Sequence, residues 1–156
     1  MIKLRTLSGL MMLLLIISCK KKEIEQVSTW YFNGRQTSTT AVNISENQSG
    51  SFLFAADRET SSFDRKSGFI LNCGAGSFPP VGSYSLYNGP LSPDLSLLRL
   101  FIFNNGQEYR LSKNNQATIS IVVADKKRKF ELPEVWFTNV MDDEDSALVK
   151  GTFCEP

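Results

Sequence analysis

The side chains with chemical reach in this chain are carboxylates. Asp142-Asp143-Glu144-Asp145 is the densest acidic run, and Asp142, Asp143 and Asp145 could offer hard oxygen ligands to a cation such as Ca2+. The run lacks the central glycine and distal glutamate of an EF-hand loop. It therefore reads first as a solvated hairpin loop between Val140 and Ala147, and only weakly as a metal site. Glu131 and Glu134 are the other acidic pair at short spacing. Three positions apart on an extended strand they point to opposite faces, which weakens a paired-carboxylate hydrolase. None of the 156 residues is histidine, so no Ser-His-Asp triad, Cys-His dyad, His-ligated zinc or imidazole base can be built. No Gly-x-Ser-x-Gly elbow presents a nucleophilic serine. With 17 basic against 16 acidic residues, nothing draws the chain electrostatically to nucleic acid. The expectation is a domain without a cofactor and without catalytic residues.

The N-terminus carries an address. Lys3 and Arg5 precede an apolar segment, Leu7 to Ile17, interrupted only by Ser8 and Gly9. Such a segment spans about 16 Å as a helix, roughly half of a hydrocarbon core, so it reads as a signal-peptide core rather than a membrane span. Ile16-Ile17-Ser18-Cys19 follows and resembles the lipobox of bacterial lipoproteins. The resemblance implies cleavage before Cys19 and acylation of its sulfur, with several chains giving a firm anchor. Residues 1–18 would then be a signal peptide, 19–27 a lipidated end and polar tether, and 28–156 a single β-domain. Cleavage removes two basic residues and leaves 15 against 16 acidic. Position 20 is Lys rather than the Asp of inner-membrane retention, which favours the outer membrane.

Lipidation of Cys19 resolves an odd cysteine count. Cys73 and Cys154 remain, in an oxidising compartment where a disulfide persists. The expectation is a Cys73–Cys154 bridge, contributing roughly 4 to 5 kcal/mol by loop entropy.

These residues must be positioned by strands, since no segment of the mature chain shows helical periodicity and several alternate with period two. The predicted fold is an all-β antiparallel sandwich of about nine strands, with a β-barrel as the alternative. Strands are expected at Trp30 to Asn33, Ala41 to Ile44, Ser51 to Ala55, Gly68 to Cys73, Tyr84 to Tyr87, Thr118 to Val123, Phe130 to Phe137 and Ala147 to Cys154. Pro133 suggests an edge position or a bulge.

The sharpest local signal is Leu98 to Leu111. Asn105-Gly106 is a type I′ turn dipeptide, and it pairs Phe103 with Glu108, Ile102 with Tyr109, Phe101 with Arg110 and Leu100 with Leu111. Leu98, Leu100, Ile102, Tyr109 and Leu111 then form a core face. Arg99, Phe101, Phe103 and Arg110 fall on the opposite face with Glu108. They read either as a binding patch or as cross-strand packing of Phe against Arg.

Gly82-Ser83-Tyr84-Ser85-Leu86 and the closing Lys150-Gly151-Thr152-Phe153, with the lipobox and the Lys20-Lys21-Lys22 tether, resemble small uncharacterised β-sheet lipoproteins of Bacteroidetes-type bacteria. Gly-x-Tyr-x-Leu and a terminal Asn-Gly-x-Phe-like strand recur there, with Lys150 here in the Asn position. The resemblance implies a fold and an envelope location, and no activity. The resulting expectation is a binding or interaction module held to the membrane through Cys19, contacting a protein, glycan or lipid. An assembly accessory of an outer-membrane complex is the alternative, and a carboxylate hydrolase a more distant one.

Overall fold

The computed structural model describes residues 26–47, 50–56, 67–74, 77–90 and 96–156. Cys19 and the signal segment lie outside them. Eleven strands and no helix occur among the described residues: β1 (Ser28–Phe32), β2 (Arg35–Thr39), β3 (Val42–Asn47), β4 (Gly50–Ala56), β5 (Ser67–Asn72), β6 (Gly82–Leu86), β7 (Leu97–Asn104), β8 (Gln107–Leu111), β9 (Ala117–Ala124), β10 (Lys127–Asn139) and β11 (Ser146–Cys154). The all-β class is therefore as expected.

The strands hydrogen-bond in the order β2-β1-β11-β10-β9-β6-β7-β5-β4-β3, and β8 pairs with both β7 and β10. The path has two ends, β2 and β3, while β8 closes a ring of five strands within it, β6-β7-β8-β10-β9. The sheet folds back until its two layers meet. Trp30 on β1 stands edge-on to Phe69 on β5 at 5.6 Å, and Phe69 packs against Phe153 on β11 at 4.6 Å. Phe69, Phe130, Phe137 and Phe153 are fully buried. These rings fill the interlayer space that helices fill in other folds.

Two features depart from expectation. Eleven strands replace about nine, partly because a second type I′ turn, Asn33-Gly34, generates the unexpected β2; both turn residues have positive φ (48° and 77°). The sheet is also mixed rather than purely antiparallel, since β6 runs parallel to β7 through Ser85↔Leu97 and Leu86↔Leu98.

The Asn105-Gly106 hairpin forms as its chemistry demands, with φ of 51° and 81° and pairs Phe101↔Arg110, Ile102↔Tyr109 and Phe103↔Glu108. Leu98, Leu100, Ile102, Tyr109 and Leu111 are all buried. Leu111 leaves the expected Leu100 and pairs with Phe137. One end of the gap between β7 and β10 is thus spanned by β8 alone, and the other by β6 and β9.

Strand β10 makes this branching possible. Its residues 127–131 pair with β9 and residues 137–139 with β8, while β11 runs along its other side. The register slips between Leu132↔Gly151 and Val135↔Val149, a bulge containing Pro133, whose missing N–H the ladder does not need there. Leu132 and Val135, three apart, are both buried as a result.

Candidate functional site

The outer face of β7 and β8 gathers four of the residues picked out by the hairpin. Arg99 and Arg110 place their guanidinium carbons 4.8 and 5.0 Å from the centre of the Phe101 ring. Arg110 Nε also donates to Glu108 Oε1 at 2.7 Å. Partial burial, and then the neighbouring Arg110 charge, hold the Arg99 pKa below its ordinary value. Phe103 stands two residues along the same face, opposite Glu108. Phe101 is half-buried under its own chain's cations.

This patch is one part of a longer row. Register carries it from Phe54 on β4 to Ile70 on β5, Phe101 on β7, Arg110 on β8, Thr138 on β10 and Ser146 on β11. The row is apolar at the β4 end and polar at the β11 end.

At the polar end the surface opens into a cleft of about 540 Å3 between the β8–β9 and β10–β11 connections. Ser112 Oγ and Thr138 Oγ1 are 2.6 Å apart, and Thr138 Oγ1 lies 3.2 Å from Ser146 Oγ. This chain of three hydroxyls runs beside the indole of Trp136, which is 48% exposed. The ion pair Lys113–Asp143, 3.2 Å long, crosses between the two connections. The sequence reading assigned Trp136 no role. The available signal was the alternation Val135-Trp136-Phe137, which turns Trp136 outward once the bulge at Pro133 resets the parity.

The acidic run does not assemble a cation site. Asp145 Oδ2 accepts from Tyr109 Oη at 2.6 Å and from Asn139 Nδ2 at 2.9 Å. Asp142 Oδ1 accepts the Glu144 backbone N–H, and Asp143 is turned toward Lys113. Among the described residues no group of three or more potential ligands could hold a metal. These carboxylates instead fasten the loop to β8 and to itself.

The bulge also overturns the expectation for Glu131 and Glu134. Both are exposed on the outer side rather than on opposite faces, and Glu134 pairs with Lys150 at 3.3 Å.

The expected Cys73–Cys154 disulfide is absent. Both thiols are free and buried, and the reason is strand parity. Cys73 belongs to the core cluster, whereas Cys154 follows the core-facing Phe153 and points out of that core. Its Sγ donates to Val27 O at 3.4 Å, beneath the entering chain. Burial pushes the Cys73 thiol up to about 12 and raises that of Cys154, so neither is a ready nucleophile.

No family model, curated protein or solved structure matches this chain. Among the described residues no helix is long and apolar enough to cross a membrane.

Proposed function

We propose that the chain is a bacterial lipoprotein, anchored to the outer membrane through Cys19, whose β-domain is a non-enzymatic binding module of the cell envelope. The observation that carries the binding half is the continuous outer row from Phe54 through Phe101 and Arg110 to Thr138. It sets apolar rings, guanidinium groups and hydroxyls on one rigid sheet face. Rigid elements present a contact surface with little ordering cost. The lipobox-like Ile16-Ile17-Ser18-Cys19 supports the anchor.

Expression of the full chain in a bacterial host tests both halves. Metabolic labelling with an alkyne palmitate should tag the wild type and not Cys19→Ser, and the untagged variant should leave the membrane fraction. An envelope component retained by the wild type should be lost from Arg99→Ala/Phe101→Ser/Arg110→Ala while that variant still unfolds in a cooperative thermal transition. Retention by that variant would remove the row as the binding face.

The assembly-accessory reading draws on a different feature. Strand β3 ends the hydrogen-bonding order and leaves Ile44 exposed, an edge on which a partner strand can add. A stoichiometric complex dependent on Ile44 would favour it.

A further inference from the structure

Trp136 is the most exposed aromatic side chain among the described residues. An indole left on a strand in mid-sheet forgoes burial that rings elsewhere in this domain obtain, and such exposure marks contact surfaces. What surrounds it narrows the contact. On one side runs the Ser112–Thr138–Ser146 hydroxyl chain. Each hydroxyl has one donor and two acceptor positions, so three in series keep capacity beyond the bonds they make to one another. Asn114 and Asn115 line the same cleft.

Charge narrows it further. The ionised groups lining the cleft are Arg110, Lys113 and Asp143. Arg110 is bonded to Glu108 and Lys113 to Asp143, so the cleft offers no uncompensated field for a phosphate or a carboxylate. A lipid chain would strip water from the hydroxyls without replacing it. An uncharged ligand with one apolar ring face and many hydroxyls satisfies both halves of the site. About 540 Å3 lies within the roughly 300–1,000 Å3 usual for small-ligand sites.

We propose that the cleft at Trp136 binds a neutral saccharide, with a sugar ring stacked on the indole and its hydroxyls paired with Thr138, Ser112, Ser146 and the Asn114 and Asn115 amides. The proposal rests on the binding-module reading and names the ligand class for its polar end.

The chain's two tryptophans make the test direct. Trp30 is 3% exposed in the core and Trp136 is 48% exposed, so a ligand-dependent change in emission reports on Trp136. The detergent-solubilised full chain is titrated with the tetrasaccharides of β-1,4-glucose, α-1,4-glucose, β-1,4-mannose and β-1,4-N-acetylglucosamine. At least one is expected to shift the emission to the blue and saturate in the millimolar range or below. Trp136→Ala, followed by calorimetry, should weaken that binding about tenfold or more, and Thr138→Val should weaken it severalfold, both with unchanged melting temperature. No response to any of the four overturns the proposal, as does binding that survives Trp136→Ala. A shift produced by anionic phospholipid vesicles and by none of the sugars also overturns it. Those results leave the module reading in place if the envelope component still depends on Arg99, Phe101 and Arg110.

Discussion

The hydroxyl of Tyr109 reaches out of the core to donate a 2.6 Å hydrogen bond to Asp145 Oδ2. One side chain thereby belongs both to the interlayer packing, where its ring meets Phe32 at 4.8 Å, and to the loop that walls the Trp136 cleft. The bond has consequences at both ends of the pH scale. Burial, reinforced by the bond to Asp145, pushes the Tyr109 phenol from 10.0 up to about 12. A group whose folded pKa is raised contributes stability that is complete below its unfolded value and is lost as pH climbs through the folded one. Stability should therefore fall between about pH 10 and 12. A phenolate absorbance titration should show a component near 12 that Tyr109→Phe deletes.

The acid limb has the opposite sign. Hydrogen bonds from Asn139 and then Tyr109 hold the Asp145 carboxyl below its ordinary value. Its contribution is present above the unfolded pKa and disappears as pH falls through the folded one. Urea midpoints measured across the acid range should drop less steeply for Asp145→Asn than for the wild type.

Two buried thiols make a simple accounting prediction. The intact mass should be the same with and without a reductant, and Cys73 and Cys154 should react with a thiol reagent only at the rate of unfolding. Cys73→Ser leaves a hydroxyl in the core at a site that is 0% exposed, and should cost about 1–3 kcal/mol in denaturant unfolding. A mass gain of two hydrogens on reduction would contradict the thiol assignment.

Phe101 and Phe103 should tolerate loss in a way that Phe153 does not. The outer pair is half-buried, so Phe101→Ser/Phe103→Ser should cost at most about 2 kcal/mol. Phe153→Ala, emptying a site that is 0% exposed, should cost about 3–5 kcal/mol. Comparable losses would mean that the outer face is packed against something, and that it is not a free surface.

Gly151 sits where two strands close on it, opposite Trp30 on β1 and Leu132 on β10. A Cβ there would come within 2.8 Å of Thr29 O and of Trp30 Cβ. Gly151→Ala should force β1 and β11 apart and cost about 1–3 kcal/mol, readable as a lower melting temperature.

Legibility in the sequence followed the range of the forces involved. The Asn105-Gly106 turn and the face of Leu98 to Leu111 are set by local backbone sterics and period-two alternation, and three of the four pairs expected there form. Pro133 announced a bulge for an equally local reason. The bulge's consequence was not local: parity reset beyond it, so Glu131 and Glu134 share a side and Trp136 faces out. The cysteines failed for the same reason, because compartment and count say nothing about which face each residue occupies. Strand β2, polar throughout as Arg35-Gln36-Thr37-Ser38-Thr39, has no apolar alternation to betray it. Only the Asn33-Gly34 turn before it signalled a returning strand.

Strand β1 lies between β2 and β11, and Ser28 is bonded to Cys154 across a sequence separation of 126. During synthesis β1 and β2 emerge as a lone hairpin, marginal in water, with Trp30 having neither β5 nor β11 to cover it. Residues near 150 must be released from the ribosome before that ring has a home. Closure is therefore a late event of high contact order, in which the first described strand waits for the last. The order of folding is set here by the position of a single strand.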